Sequence, residues 1–252
     1  MGNFDGVHLG HQSVIDLARA PEPLGIITFE PHPRQFFQPD APSFRLMNAE
    51  ARANRLAKLG VEHLFQLQFD RSLASLDPDE FVGEVLVRGL GVSHVVVGAD
   101  FRFGKGRAGT AGDLRRMGDA HGIRTTIAPL VAIAGVEVSS TAIRQALTEG
   151  RPRDAAAMLG HLHRIEGEVI HGEKRGRELG YPTANMALSG LHLPRYGVYA
   201  VKVDVLSGPQ AGSYMGAASL GVRPMFNGEV PNLETYLLDF KGDLYGHHLS
   251  IA

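Results

Sequence analysis

Residues 1–12 read MGNFDGVHLGHQ, and two histidines, His8 and His11, stand three positions apart inside a glycine-rich turn. Glycines let a backbone approach a ligand closely. Residues 12–20 have a helical pattern, so the turn ends at a helix N-terminus, whose free N–H groups and partial positive charge favour an anion. Two imidazoles there can donate hydrogen bonds to phosphate oxygens. A metal pair and two surface histidines are the alternatives, but helical metal pairs favour four-residue spacing.

Composition describes an ordinary water-soluble chain. Its 252 residues favour two domains, and 44% hydrophobic with 21% charged residues is typical of globular proteins. The absence of cysteine excludes disulfides and thiolate metal sites. A net charge of -2 argues against a broad nucleic-acid surface, and no apolar run approaches the roughly 20 residues of a membrane span. We therefore expect a cytoplasmic protein without nucleic-acid or membrane partners, and leave homo-oligomerisation open.

The first part of the chain alternates apolar, β-rich runs with amphipathic segments, which predicts a parallel sheet covered by helices. The expected strands are 24–29, 61–67, 92–97 and 123–130. The expected helices are 48–58 with Asn48 as N-cap, 78–90 capped by Asp77, 110–121, 139–149 and 153–159.

From residue 163 onward the pattern changes to short strands separated by Gly, Pro and Asn, which predicts a small antiparallel barrel. The strands are expected at 163–171, 199–206, 213–220, 233–240 and from 248. We place the boundary near Gly160, with domains at 1–160 and 161–252. Both ends look cut, because a strand is expected before the first turn and the chain stops inside a strand, so we expect the barrel domain to be incomplete at its C-terminus.

Three further segments of the first domain suit a nucleotide site. Residues 138–144, VSSTAIR, place three hydroxyls at a helix N-terminus and Arg144 one turn later, where it can fork onto phosphate oxygens, although an ordinary capped helix would look similar. Residues 28–33, TFEPHP, follow a strand, at the edge where open α/β sheets bind ligands. Residues 97–104, VGADFRFG, follow another strand. The GKGRAG segment at 104–109 matches GxGxxG, but neither a preceding strand nor a later acidic residue supports a dinucleotide fingerprint.

A loop in the second domain combines glycines, basic residues and a hydroxyl, which suits the phosphates of a nucleotide and its Mg²⁺. It spans residues 172–185, GEKRGRELGYPTAN, where Pro182 fixes φ just before Thr183. A flexible hairpin loop is the alternative that composition alone would favour. Glu234 lies in a strand pattern, where a lone glutamate usually faces solvent.

Together these segments resemble a known family. GNFDGVHLGH is similar to the HxGH signature of adenylyltransferases in its FMN adenylyltransferase form, and residues 138–144 resemble ISSTxIR. TFEPHP and VGADFRFG resemble flavin-specific segments, and GRELGYPTAN resembles the GRxLGFPTAN motif of riboflavin kinases. Nearly the whole chain resembles bifunctional riboflavin kinase/FMN adenylyltransferases, the prokaryotic-type FAD synthetases. This resemblance implies a Rossmann-like α/β nucleotidyltransferase domain followed by an antiparallel β-barrel kinase domain.

The resemblance also implies roles for individual residues. The adenylyltransferase would act through His8, His11 and Arg144 and bind ATP through Gly2, Phe4, Asp5, Gly6, Gly10, Ser139, Ser140 and Thr141. Its flavin side would be His32, Pro33, Asp100, Phe101 and Phe103. The kinase would bind ATP through Gly172, Lys174, Gly176, Arg177, Pro182, Thr183 and Asn185, hold Mg²⁺ with Thr183 and Asn185, and use Glu234 as its carboxylate.

The implied partners are the small molecules riboflavin, FMN and ATP. One position departs from the family pattern, since Met225 stands where a threonine is usual. Two alternatives remain at this point. Another HxGH adenylyltransferase, acting on pantetheine phosphate or a nicotinate nucleotide, would explain the first domain only. A flavin- or nucleotide-binding regulator would keep the fold without turnover.

Overall fold

The computed structural model describes residues 1–170, 183–225 and 228–252. The chain divides into two compact units. The first comprises Met1–Pro42 and Ala53–Ser139, and the second comprises Ser43–Arg52 and Ser140–Ala252. The domain boundary near Gly160 stays a prediction.

The elements up to Ser139 alternate helices and strands as predicted. In chain order they are α1 Leu9–Leu17, β1 Gly25–Glu30, α2 Pro33–Phe37, α3 Ala49–Lys58, β2 His63–Gln68, α4 Arg71–Ser75, α5 Pro78–Glu80, a π-helix Phe81–Gly89, β3 His94–Gly98, β4 Arg102–Phe103, a 3₁₀ turn Lys105–Arg107, β5 Gly109–Thr110, α6 Ala111–Ala120, β6 Arg124–Ala128, β7 Ala132–Ile133 and β8 Val136–Glu137.

The first unit contains two pairs of parallel strands. β1 pairs with β2 from Gly25↔His63 onward, and β3 pairs with β6 from His94↔Arg124 onward. The first residues of the chain connect the two pairs: the Met1 amine donates to the Val96 carbonyl at 2.8 Å, and the Gly2 N–H donates to Ile27 at 3.1 Å. The glycine-rich turn therefore starts between β1 and β3, in the middle of the predicted parallel sheet.

One predicted helix differs in its geometry. Asp77 caps residues 78–80 in a capping box with Glu80, as expected, but Phe81–Gly89 is π-helical. In a π-helix each backbone N–H donates to the carbonyl five residues earlier, so Phe81 and Leu86 lie on the same side of the helix. Both side chains are buried in the core of the first unit, so the predicted helix is present and buries the expected apolar residues with a π-helical backbone.

The second unit contains a closed barrel, which confirms the predicted antiparallel architecture. Helices α7 Ser140–Thr148 and α8 Pro152–Leu159 precede it. Its strands are β9 Ile165–Ile170, β10 Ala184–Met186, β11 Gly197–Val205, β12 Gly212–Met225, β13 Gly228–Leu237 and β14 His248–Ile251, in the order β10-β13-β12-β11-β14-β9. Side chains alternate along each strand. Leu233, Thr235 and Leu237 are buried, while Glu234 is partly exposed on the other face.

The segment Ser43–Arg52 belongs to this second unit, which the sequence did not indicate. Arg45 forms a parallel bridge with Leu191, and the Asn48 side-chain amide donates to the Glu166 carbonyl at 2.8 Å. The same Asn48 side chain accepts from the Ala51 N–H at 2.8 Å, so the predicted cap of α3 is confirmed. Within the described ranges, no helix has the length and apolar character needed to cross a membrane.

The GKGRAG segment forms the connection of a small hairpin between β4 and β5, and does not follow a strand of the parallel pairs. A Cβ on Gly109 would lie 2.6 Å from the Phe103 ring, which is itself buried in the core. Gly109 is therefore required because the Phe103 ring packs directly against its backbone. This packing accounts for the glycine without a dinucleotide-binding role.

Replacing Gly109 with alanine should strain this packing. We expect Gly109→Ala to lower the free energy of unfolding by about 1–3 kcal/mol, because overpacked cores shift side chains and backbone. Gly112→Ala is the matched control, since its Cβ would meet nothing nearer than the Thr110 hydroxyl at 3.6 Å and alanine favours the helix. Urea unfolding of both variants measures the difference, and equal midpoints would contradict the packing role.

Candidate active sites

The glycine-rich turn is a strained loop held by its surroundings. The Val7 N–H donates to the Phe4 carbonyl at 3.3 Å, and Gly6 has a φ of 87° that suits glycine. Val7 has a φ of 44°, which is unfavourable for a β-branched residue. Val7 is completely buried, and the Gln12 side-chain amide donates to its carbonyl at 2.9 Å. Such strain persists only where packing enforces it, and it concentrates at functional sites.

The loop delivers two stacked imidazoles to the start of α1. The His8 Nδ1 accepts from the His11 N–H at 3.4 Å, so His8 is the N-cap of the helix. The two rings lie 3.7 Å apart at 18°, and the Phe4 ring lies 5.0 Å from His11 on the other side. Because Nδ1 of His8 accepts, its Nε2 is the nitrogen that carries the proton. Sequence reasoning identified both histidines but not the supporting contact from Gln12.

Burial keeps His11 uncharged. Burial, and next the neighbouring His8, holds the pKa of His11 well below its usual range. The His11 Nδ1 atom is buried and has no hydrogen-bond partner among the residues that the structure describes. An unpaired buried polar atom costs about 1–3 kcal/mol, which is the kind of cost that functional sites carry.

Val138, the first residue of the predicted phosphate motif at 138–144, lies next to the glycine-rich turn. The Val138 carbonyl lies 3.6 Å from the position of a Cβ on Gly10, so the residue before Ser139 adjoins the start of α1. Ser140, Thr141 and Arg144 belong to the second unit. Within that unit the Arg144 Nε donates to the Phe44 carbonyl at 2.6 Å, and the guanidinium lies 5.4 Å from the centre of the Phe44 ring. The convergence of these three residues with the histidines stays a prediction.

The predicted flavin residues follow the ends of parallel strands. His32 caps α2, accepting from the Arg34 N–H at 3.0 Å, and Pro33 is the first residue of that short helix. After β3, Asp100 is exposed, and Phe101 stacks on Phe103 with ring centres 5.9 Å apart. Phe103 is buried in the core, so it supports Phe101. Contact of these residues with flavin stays a prediction.

In the barrel, strand pairing brings the predicted kinase residues together. Asn185 in β10 lies directly opposite Glu234 in β13. Asn232 joins them: its amide nitrogen donates to Glu234 Oε1 at 3.0 Å and to Asn185 Oδ1 at 3.3 Å. Sequence reasoning missed Asn232, although its two-residue spacing from Glu234 places both side chains on one face of the strand. Gly172, Lys174, Gly176, Arg177 and Pro182 lie outside the described residues.

The oxygen atoms of this cluster suit Mg²⁺. Asn185 contributes an amide oxygen and Glu234 a carboxylate, and the Asn185 amide nitrogen donates to the Thr183 carbonyl at 3.4 Å, which places Thr183 beside them. The described residues contain no cluster of three His, Cys, Asp or Glu side chains suited to a metal. Magnesium in nucleotide enzymes uses few protein oxygens together with substrate phosphates, so this donor set fits it.

The chain thus combines an α/β unit, whose glycine-rich turn ends in a histidine-capped helix, with a barrel unit that carries an Asn–Asn–Glu cluster. Residues 1–142 match the FAD synthetase family model, and residues 159–252 match the riboflavin kinase model. The bifunctional riboflavin kinase/FMN adenylyltransferase of Pseudomonas fluorescens is 42% identical over the whole chain, which spans 81% of that protein. Its namesakes from Escherichia coli K12 and Listeria monocytogenes are 38% and 37% identical, also over the whole chain and 81% of each relative.

The chain therefore belongs to the family of bifunctional riboflavin kinase/FMN adenylyltransferases. A crystal structure described as a macrolide-efflux protein from Streptococcus pneumoniae is also similar, with 34% identity and a TM-score of 0.84 over all of this chain and 82% of that one. The comparisons give no support to a pantetheine-phosphate or nicotinate nucleotide enzyme, or to a non-catalytic regulator.

The depressed pKa of His11 can be measured directly. We expect the His11 ring resonance in NMR, assigned by its loss in His11→Gln, to keep its neutral shift between pH 8 and about pH 6. The unfolded chain binds that proton more tightly, so the free energy of unfolding should fall as the pH drops below 6.5. A titration midpoint at or above 6.5 would contradict the burial argument.

Proposed function

We propose that this chain performs two successive steps of FAD biosynthesis. It phosphorylates riboflavin with ATP to give FMN and ADP, and it joins FMN to the AMP part of a second ATP with release of pyrophosphate. The observation that carries this proposal is the match of both halves to the two enzyme families, with both sets of site residues present. The substrates are riboflavin, FMN and ATP, and Mg²⁺ accompanies the nucleotide. Cytoplasmic location and the absence of a nucleic-acid partner stay predictions.

In the kinase step, the 5′-hydroxyl oxygen of riboflavin forms a bond to the γ-phosphorus of ATP while the bond between that phosphorus and the leaving ADP oxygen breaks. Glu234 accepts the hydroxyl proton as the attack proceeds. Asn232 holds the carboxylate by its 3.0 Å hydrogen bond, so the base is oriented before the substrate arrives. Thr183 and Asn185 would hold Mg²⁺, which would neutralise phosphate charge.

In the adenylyltransferase step, a phosphate oxygen of FMN attacks the α-phosphorus and pyrophosphate leaves, so no protein nucleophile is needed. His8 donates from Nε2 to an α-phosphate oxygen, and His11 lies against it as the second imidazole. The free N–H groups of α1 add partial positive charge. Ser139, Ser140, Thr141 and Arg144 hold the phosphates that leave as pyrophosphate. Catalysis is alignment and charge stabilisation.

Single substitutions should impair the adenylyltransferase step and the kinase step independently. We expect His11→Ala to lower FAD formation from FMN by roughly 100-fold or more, the loss typical of a missing charge-stabilising group, while FMN formation from riboflavin persists. Glu234→Ala should abolish FMN formation and leave FAD formation from supplied FMN intact. Chromatography of flavins after incubation with ATP and Mg²⁺ measures both steps. Equal loss of both activities in a folded variant would refute this division.

Two substitutions of Asn232 test how it affects Glu234: one removes the hydrogen bond that orients the carboxylate, and the other places a second negative charge beside it. Asn232→Ala removes the hydrogen bond and should lower the kinase kcat, with a smaller shift of the acidic limb of the pH profile than Asn232→Asp causes. Asn232→Asp places a second carboxylate beside Glu234, which raises the pKa of the pair and should move the acidic limb of the kinase profile to higher pH. Unchanged kinase rates in both variants would remove Asn232 from the site.

A further inference from the structure

We infer that His192, a residue of the barrel unit, is a positioning residue for FMN adenylylation and acts through Arg144. This inference rests on the proposed function, in which Arg144 binds the departing phosphates. It adds a residue that lies outside the sequence motifs of either activity. All the contacts that carry it lie within the second unit.

Arg144 is held at both its side chain and its backbone. On the side chain, Nε donates to the Phe44 carbonyl at 2.6 Å, and the Phe44 ring faces the guanidinium. On the backbone, the Arg144 carbonyl lies 3.0 Å from the His192 Nε2 and 3.0 Å from the Thr148 hydroxyl. We call Phe44, Thr148 and His192 the Arg144 clamp.

The hydrogen-bond roles within the clamp are determined by chemistry. The Arg144 carbonyl can only accept, so the His192 Nε2 must carry a proton and donate. The Thr148 hydroxyl donates to the same carbonyl at 3.0 Å and lies 3.1 Å from the His192 Nε2, so the three polar atoms form one compact group. A glutamine amide can replace this donor, whereas an alanine cannot.

The histidine is itself attached to the segment that carries Phe44. The His192 N–H donates to the Arg45 carbonyl at 2.7 Å, next to the bridge between Arg45 and Leu191. The Arg195 N–H donates to the Leu147 carbonyl at 2.9 Å, at the end of α7. Residues 191–195 therefore connect α7, the helix that carries Arg144, to the segment that contains Phe44. The Phe44 carbonyl in turn orients the Arg144 side chain.

This attachment matters because phosphate recognition by a guanidinium depends on direction. Arg144 is partly buried, with Nε committed to Phe44, so rotating α7 changes where the remaining N–H groups can point. Displacements of about 1 Å from groups outside the chemistry can cost on the order of 100-fold in rate. Loss of the His192 contact should therefore lower adenylylation without affecting the kinase chemistry.

The first test compares His192→Ala, His192→Gln and the control His161→Ala, whose ring Nδ1 lies 2.8 Å from the adjacent Leu162 carbonyl. We expect His192→Ala to lower kcat/KM for FAD formation by roughly tenfold or more. His192→Gln should recover most of the loss, and His161→Ala should match the wild type. FMN formation from riboflavin should stay unchanged in all three and reports a folded second unit.

The second test is a double-mutant cycle with Arg144→Lys, which keeps the charge but cannot form the planar fork. If His192 acts through Arg144, His192→Ala should lower adenylylation much less in the Arg144→Lys background than in the wild type. Additive losses, or no loss in His192→Ala, would overturn the inference while leaving the proposed function intact. A wild-type chain that forms no FAD from FMN would remove the proposed function and this inference together.

Discussion

Two imidazole rings stacked 3.7 Å apart at a helix N-terminus repel each other if both are positively charged, and the proposed adenylyltransferase site depends on this constraint. Burial keeps His11 neutral, and the cap bond makes Nε2 of His8 the proton carrier. In the proposed adenylylation step His11 is therefore a neutral imidazole beside His8, and the N-terminus of α1 supplies the positive potential. The strained conformation of Val7, enforced by its complete burial, keeps the rings at that helix end.

The barrel site follows from the alternation of side chains along paired strands. Leu233, Thr235 and Leu237 enter the core, so Asn232 and Glu234 must share the opposite face. The register Asn185↔Glu234 then brings the asparagine of the PTAN segment to the carboxylate. A shift of one residue would bury Glu234 and expose the core, so the hydrophobic pattern that closes the barrel also assembles the site.

Family matches assign residues 1–142 to one family, yet Ser43–Arg52 and the start of α7 form a compact unit with the barrel. Phe44 and His192 both contact Arg144, an arginine of the adenylyltransferase motif. Motif boundaries and compact units therefore differ in this chain, because packing groups residues by contact and not by order in the sequence.

The sequence by itself determined the features that depend on near neighbours. The caps at Asn48 and Asp77, the strand alternation around Glu234 and the glycine turn before α1 each involve residues within a few positions of one another. Tertiary structure alone decided the neutral state of His11, the π-helical turn at Phe81–Gly89 and the partners of Arg144. Phe44 and His192 stand 100 and 48 positions from Arg144, so no local pattern encodes these two contacts, and they form only once the chain has folded.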